Sequence, residues 1–174
     1  MKYKTLQETV KGFTLVELII TIALLSFGII GIYGVFHPVS LVTANFSLHT
    51  TADYLTQEGI EIVENVRDNN ILQNKVWSTG LSNCTAGCQL DYKTGTSLEA
   101  PMDALQAFSG AFLNINSDGF YSYGAGTPTR FQRKITITKP SASSTDVLKV
   151  DVLVIWNYNG KSFSFDTISY IYNL

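Results

Sequence analysis

An uncharged apolar run of 19 residues, Leu18 to Phe36, constrains this 174-residue chain more than any other feature. As a helix the run would be roughly 28 Å long, close to the hydrocarbon thickness of a bilayer. Every face of that helix is apolar, unlike an amphipathic helix on a soluble core. The hydroxyls of Thr21 and Ser26 can bond to carbonyls one turn earlier, so they do not oppose insertion. The run predicts one membrane-spanning helix.

The charges before the run predict its orientation. Residues 1–12 contain three lysines and only Glu8 as an acid, the lysines being Lys2, Lys4 and Lys11. The positive-inside rule therefore places residues 1–12 in the cytoplasm and the rest of the chain outside. Glu17 stands at the head of the run, and a carboxylate costs about 2.5 to 3.5 kcal/mol in mid-membrane and less near the interface. We expect Glu17 to have a function, the alternative being a side chain that reaches back to the headgroups.

Three other interpretations of the run compete. A secretory signal peptide could be cut after Val42-Thr43-Ala44, but its apolar core usually holds only about 7 to 15 residues. A plain signal anchor explains length and orientation, but not the acid at position 17. A buried soluble helix would need a larger domain than 174 residues provide.

The segment Lys11-Gly12-Phe13-Thr14-Leu15-Val16-Glu17-Leu18, followed by the apolar run, resembles the class III signal of type IV pilins and of type II secretion pseudopilins. This resemblance covers about the first 36 residues. It implies that a prepilin peptidase cuts between Gly12 and Phe13 and methylates the new amine of Phe13. Gly12 fits that role because a residue without a β-carbon lets the backbone lie close to a protease.

The same resemblance implies that Glu17 acts in assembly. After the cut, the Phe13 amine is a cation at neutral pH, and Glu17 lies one helical turn away. In an apolar assembly a carboxylate favours a cationic partner, so we expect Glu17 to meet the amine of a neighbouring subunit. A second resemblance, of Tyr54–Asp68 to the helix of PilV-like minor pilins, adds no chemistry of its own.

After the run, the sequence predicts an α+β domain of the pilin-like kind. Pro38 predicts a kink or short break, after which apolar spacing predicts a helix from near Ser40 to near Ile71. Four strands are expected in the C-terminal third, with an Asn159-Gly160 hairpin between the last two. They are Phe120–Tyr123, Thr129–Lys139, Val147–Tyr158 and Lys161–Tyr172.

The expected strands form an antiparallel sheet that the long helix covers. Phe131, Arg133, Ile135 and Ile137 alternate with polar residues and should share the covered face. Between helix and strands, residues 77–116 read as a loop in which Met102–Phe108 suggests a helical turn. The expected organisation is a leader at 1–12, a transmembrane and filament-core helix at 13–37, and an extracytoplasmic domain at 38–174.

Cys84 and Cys88 lie in this loop, outside the cytoplasm under the expected topology. A disulfide between them is favoured over a free pair, because extracytoplasmic compartments are oxidising. With only His37 and His49 elsewhere, a four-ligand zinc site is not expected.

No catalytic constellation is visible, and we expect no enzyme and no cofactor. Residues 114–119 weakly resemble the start of a calcium loop, but an EF-hand requires an acid where Ala125 stands, so an Asp-Gly turn is favoured. Loss of residues 1–12 would leave a more acidic chain without a basic stripe, which argues against nucleic-acid binding.

The expected function is that of a structural subunit, major or minor, of a type IV pilus. Its partners would be a prepilin peptidase, other pilin subunits and a membrane assembly platform. It would reside in the bacterial cytoplasmic membrane and then in an extracellular pilus. The first alternative is a pseudopilin in a type II secretion or competence pseudopilus in the periplasm, and the second is an anchored binder or adhesin that does not polymerise.

Overall fold

The computed structural model describes residues 12–94, 106–143 and 145–173, and of residues 35–42 and 44 only the backbone. The chain divides into two compact units, Met1–Ala44 (unit 1) and Asn45–Leu174 (unit 2). One long α-helix, α1 (Leu15–Leu72), contributes residues to both units. Each unit is described by itself.

Helix α1 has a defined signal at each end. At its start, Thr14 caps the helix: its Oγ1 accepts a hydrogen bond from the Glu17 amide at 3.3 Å, as expected for Thr-x-x-Glu. At its end, Asn74 adopts a left-handed φ of 55°. The Asn74 amide donates to Ile71 O and the Lys75 amide to Asn70 O, both at 2.9 Å. This is a Schellman motif, and it ends the helix close to the predicted position near Ile71.

The expected break at Pro38 is absent, because α1 is assigned as helix without interruption from Leu15 to Leu72. Proline removes its own amide hydrogen and crowds the carbonyl one turn earlier, which can kink a helix without ending it. The kink therefore stays a prediction. The predicted helix after Pro38 therefore exists, but as a continuation of the apolar helix.

Unit 2 contains eight strands in its described part and one short 3₁₀ helix, Leu81–Cys84. In chain order the strands are β1 (Cys88–Gln89), β2 (Gln106–Ala107), β3 (Asn114–Ile115), β4 (Tyr121–Ser122), β5 (Thr127–Pro128), β6 (Phe131–Thr138), β7 (Val147–Tyr158) and β8 (Lys161–Tyr172). They form an antiparallel five-stranded sheet in the order β2-β1-β6-β7-β8 and a small sheet in the order β4-β3-β5.

The long strands were predicted well and the short ones were not. β7 and β8 have the predicted bounds, and the turn between them has positive φ at both Asn159 (50°) and Gly160 (74°). The strand predicted at Phe120–Tyr123 belongs to the small sheet, and β1, β2, β3 and β5 were missed. The helical turn predicted at Met102–Phe108 is wrong where it can be compared: Gln106–Ala107 form β2, and residues 102–105 lie outside the described residues.

The core of unit 2 lies between α1 and the large sheet, as predicted. β6 alternates buried and half-buried residues along its length, with Phe131, Arg133, Ile135 and Ile137 on the covered face. One core cluster centres on Ile62, Val63 and Val66 of α1 packed with Ile135, Val150 and Val152 of the sheet. A second, more aromatic cluster joins Ala52, Leu55, Leu113, Phe131, Val154 and Trp156.

Candidate processing and assembly site

The residues around the predicted cut are open to solvent in unit 1. Gly12, Phe13 and Thr14 precede the helix, and the Phe13 side chain is 80% exposed. A β-carbon placed on Gly12 would meet no heavy atom within 4 Å in the described structure. The described structure therefore gives no packing reason for a glycine at position 12.

Glu17 lies in the first turn of α1 with an exposed side chain. Both backbone polar groups of Glu17 bond to hydroxyl groups: its amide donates to Thr14 Oγ1, and its carbonyl accepts from the Thr21 hydroxyl. Its carboxylate takes part in none of the ion pairs among the described residues. A negative charge suits the positive N-terminal end of a helix.

Apolar side chains cover the surface of α1 beyond Glu17. The segment Leu15–Gly34, 20 residues, is long and apolar enough to cross a membrane, and none of it is buried within the structure. The hydroxyl of Ser26 donates to Ile22 O at 2.8 Å and that of Thr21 to Glu17 O, as expected for hydroxyls in an apolar helix. In water such a surface would be strongly unfavourable, so it requires lipid or other apolar helices around it.

A comparison with family models decides what this segment is. Residues 9–33 match the prokaryotic N-terminal methylation motif. The chain carries the signal of type IV pilins and pseudopilins. No curated protein and no solved structure matches it significantly.

The matched signal supports a pilin-like or pseudopilin precursor, and the apolar helix supports its anchorage in a membrane. The motif implies processing by a prepilin peptidase and assembly with other pilins in the membrane, and it points to a structural protein. The match ends before Tyr54–Asp68, so the resemblance to PilV-like minor pilins stays a prediction.

Cys84 and Cys88 are bonded in the structure, with their sulfur atoms 2.12 Å and their Cα atoms 5.2 Å apart. Cys84 ends the 3₁₀ helix and Cys88 begins β1, and both are buried in the core cluster of α1 and the large sheet. Between them Gly87 has a φ of 105°, a backbone conformation that glycine adopts readily. The disulfide closes a small loop that holds β1 against β6.

Sequence reasoning placed Arg133 on the covered face but missed its role. Its side chain is fully buried and makes three hydrogen bonds, to Leu55 O at 3.0 Å, Glu58 Oε2 at 2.9 Å and Leu90 O at 2.8 Å. It thereby ties β6 to α1 and to the segment after β1. The sequence contained a sign of this role, because a charged residue at a buried position of an alternating strand requires hydrogen-bond or ion-pair partners.

Of the two histidines, His49 has a described side chain, and it lies against an aromatic ring. The ring of His49 packs edge-on against Trp156, with centroids 4.9 Å apart, while the side chain of His37 lies outside the described residues. The expected Asp-Gly turn is present, with Asn116 Oδ1 accepting from the amides of Asp118 at 3.0 Å and Phe120 at 2.9 Å. Among the described residues, no group of three or more His, Cys, Asp or Glu could hold a metal ion.

Proposed function

We propose that this chain is a structural subunit of a type IV pilus, matured by a prepilin peptidase that cuts between Gly12 and Phe13 and methylates the Phe13 amine. The observation that carries the proposal is the methylation motif at residues 9–33, which coincides with the start of an apolar helix whose whole surface is exposed. An unburied helix of this kind needs other apolar helices once it leaves the membrane, and a filament core supplies them.

Glu17 sets the axial position of each subunit in this proposal. Its carboxylate has no ion-pair partner among the described residues, and the cut creates a cation one turn away at Phe13. A neighbouring subunit's Phe13 amine would neutralise it inside the apolar core, where an unpaired charge is strongly unfavourable. The chain is oriented with residues 1–12 in the cytoplasm, so the disulfide of unit 2 lies in an oxidising compartment.

Processing is tested by producing the full chain together with a prepilin peptidase and measuring its intact mass. The expected product begins at Phe13 and carries one added methyl group. Gly12→Val should remain uncut, because its side chain blocks the approach of the protease. Gly31→Val is the matched control: Gly31 is also an exposed glycine with no neighbouring atom within 4 Å, and the variant should be cut normally.

Other outcomes of the same experiment contradict the proposal. A chain that keeps Met1 in the presence of active peptidase would be a plain signal anchor. A chain that begins near Asn45 would have been cut as a secretory signal peptide. If the N-terminus is Phe13, purified surface filaments that contain the chain support a pilus, and its restriction to periplasmic assemblies supports a pseudopilus.

A further inference from the structure

One end of unit 2 combines exposed aromatic and cationic side chains. The β7–β8 turn, Tyr158 to Lys161, lies at this end, and the guanidinium of Arg130 stands 5.8 Å from the centre of the Tyr158 ring. Arg130 and Lys161 are both exposed, and neither joins an ion pair among the described residues. This end is therefore cationic on a chain whose net charge is −2.

The chain enters unit 2 at this same end. His49 packs on Trp156 and Phe163, and Leu48 packs against the aromatic core cluster. Phe46, one helical turn before these contacts, is 72% exposed. The candidate span ends at Gly34 and unit 2 begins at Asn45, so ten residues separate them along the chain.

We propose that this end of unit 2, the basic-aromatic pole formed by Phe46, Arg130, Tyr158 and Lys161, docks on the anionic lipid headgroups of the membrane that holds the unassembled subunit. Aromatic rings favour the interface between lipid and water, and Lys and Arg beside them are attracted to negatively charged headgroups. The proposal rests on the membrane anchorage of the proposed function and adds a lipid surface as a partner of unit 2.

The docking has a consequence for assembly. Each basic residue near an anionic surface strengthens docking by about fivefold, so two of them are enough to bias the orientation of a tethered domain. A docked subunit keeps its pole against the lipid until it leaves the membrane. Docking therefore competes with extraction into a filament, and its strength depends on lipid charge and on salt.

The test uses the full chain in lipid nanodiscs and hydrogen–deuterium exchange of the amides in residues 157–163. With discs that contain phosphatidylglycerol, exchange at the hairpin should be at least about threefold slower than with pure phosphatidylcholine. About 0.5 M salt should remove the difference, because it screens charges beyond a few ångströms. The amides of Lys149–Val154, in the middle of the sheet, should exchange equally in both discs.

Two matched double variants separate the pole from general charge. Arg130→Gln with Lys161→Gln should abolish the difference between the two lipids. Lys75→Gln with Lys139→Gln also removes two exposed cations, and Lys139 follows β6 at the end opposite the hairpin, so this variant should keep the difference. Free inorganic phosphate should not slow the exchange of the hairpin in phosphatidylcholine discs, whereas slowing would show an anion site unrelated to lipid.

Several results overturn the docking proposal. Equal exchange in both lipids, a difference that survives removal of Arg130 and Lys161, or an equal loss in the control variant would each do so. Anchorage and processing are measured on the same samples, by retention in the discs and by the N-terminal mass. A chain that is processed and retained but shows no lipid dependence refutes docking while the proposed function stands, and a chain that is not retained contradicts both.

Discussion

Arg133 is the residue on which three segments of unit 2 depend. Its guanidinium is fully buried and holds Leu55 O, Leu90 O and the carboxylate of Glu58, whose side chain is 28% exposed. Replacing it removes the partner of buried acceptors and leaves Glu58 without its cation. The ion pair itself is only part of the effect, since Glu58 still reaches water.

We expect Arg133→Met to lower the free energy of unfolding by about 2 to 4 kcal/mol. Arg130→Met is the matched control, because Arg130 is exposed and its loss should change stability by no more than about 0.5 kcal/mol. The measurement is thermal unfolding in detergent, followed by the fluorescence of Trp77 and Trp156, which are both buried. Equal effects of the two substitutions would show that Arg133 does not hold these segments together.

Tyr123 gives unit 2 a sensitivity to alkaline pH. Its hydroxyl donates to Arg133 O at 2.8 Å. Burial, the largest cause, raises the pKa of Tyr123 above its usual 10.0; the charge of Arg133 and this hydrogen bond oppose the rise, and Asp91 adds to it. The folded state thus favours the neutral phenol. Its stabilisation is fully present below about pH 10 and is lost as pH rises through the folded pKa, because the unfolded chain ionises first.

Above about pH 10, the free energy of unfolding should therefore fall less steeply with pH in Tyr123→Phe than in the unsubstituted chain. At neutral pH the substitution should cost about 1 kcal/mol, because it removes one hydrogen bond to a buried carbonyl. Parallel unfolding curves at several alkaline pH values measure both effects. A pH dependence identical to that of the unsubstituted chain would assign the alkaline loss to other groups, such as Tyr121, whose pKa burial also raises.

At the scale of elements, sequence patterns predicted long elements better than short ones. β7 and β8 are 12 residues each, so alternation and the Asn159-Gly160 turn define their bounds. Strands β1, β2, β3 and β5 have two residues each and lie between long irregular segments. Two residues are too few to show the alternation of apolar and polar side chains that identifies a strand. Their pairing depends on tertiary contacts that no local pattern encodes.

The helix was predicted in its parts but not as one element. Because proline is unfavourable inside a helix, the sequence predicts an interruption at Pro38 despite the helical pattern on either side. In the structure, α1 continues through this residue. The start of α1 could have been read from Thr14-x-x-Glu17, a capping signal. Gly12, Phe13 and Glu17 were singled out from the signal alone, because the roles we propose for them concern partners outside the chain.

Gly59 sets the distance between α1 and the large sheet. A β-carbon at this position would lie 2.8 Å from Val152 Cγ1, closer than such atoms approach, and both residues are buried. Alanine would gain about 1 kcal/mol in helix propensity, but crowding a packed core costs about 1 to 3 kcal/mol. Over most of this range, the cost of crowding Val152 therefore exceeds the gain in helix propensity.

We expect Gly59→Ala to destabilise unit 2 by about 1 kcal/mol, and by no more than about 2 kcal/mol, despite the better helix former. Gln57→Ala, on the exposed side of α1, controls for propensity alone and should be neutral within about 0.5 kcal/mol. Adding Val152→Ala to Gly59→Ala should show a favourable coupling energy of about 1 kcal/mol in a double-mutant cycle of thermal unfolding. Additive effects would mean that the two residues do not crowd each other.

At the scale of the whole molecule, the two units differ in how they treat apolar side chains. Unit 2 buries its apolar residues between α1 and a sheet, whereas the segment Leu15–Gly34 buries none of its own within the structure. The apolar side chains of Leu15–Gly34 can therefore be removed from water only by lipid or by other subunits. We expect Glu17, at the head of this segment, to respond differently to these two surroundings, because lipid headgroups can solvate its carboxylate and an apolar helix bundle cannot.

Glu17→Ala should therefore be cut between Gly12 and Phe13 and retained in the membrane, yet enter filaments at least about tenfold less well, because the Phe13 amine of a neighbour loses its counter-charge. Glu61→Gln removes an exposed acid from the part of α1 in unit 2 and should assemble normally. Subunits in membranes and in sheared surface filaments are measured by quantitative immunoblotting after N-terminal mass analysis. If Glu17→Ala is processed and incorporated as well as the Glu61→Gln control, the carboxylate only contacts headgroups and does not position subunits.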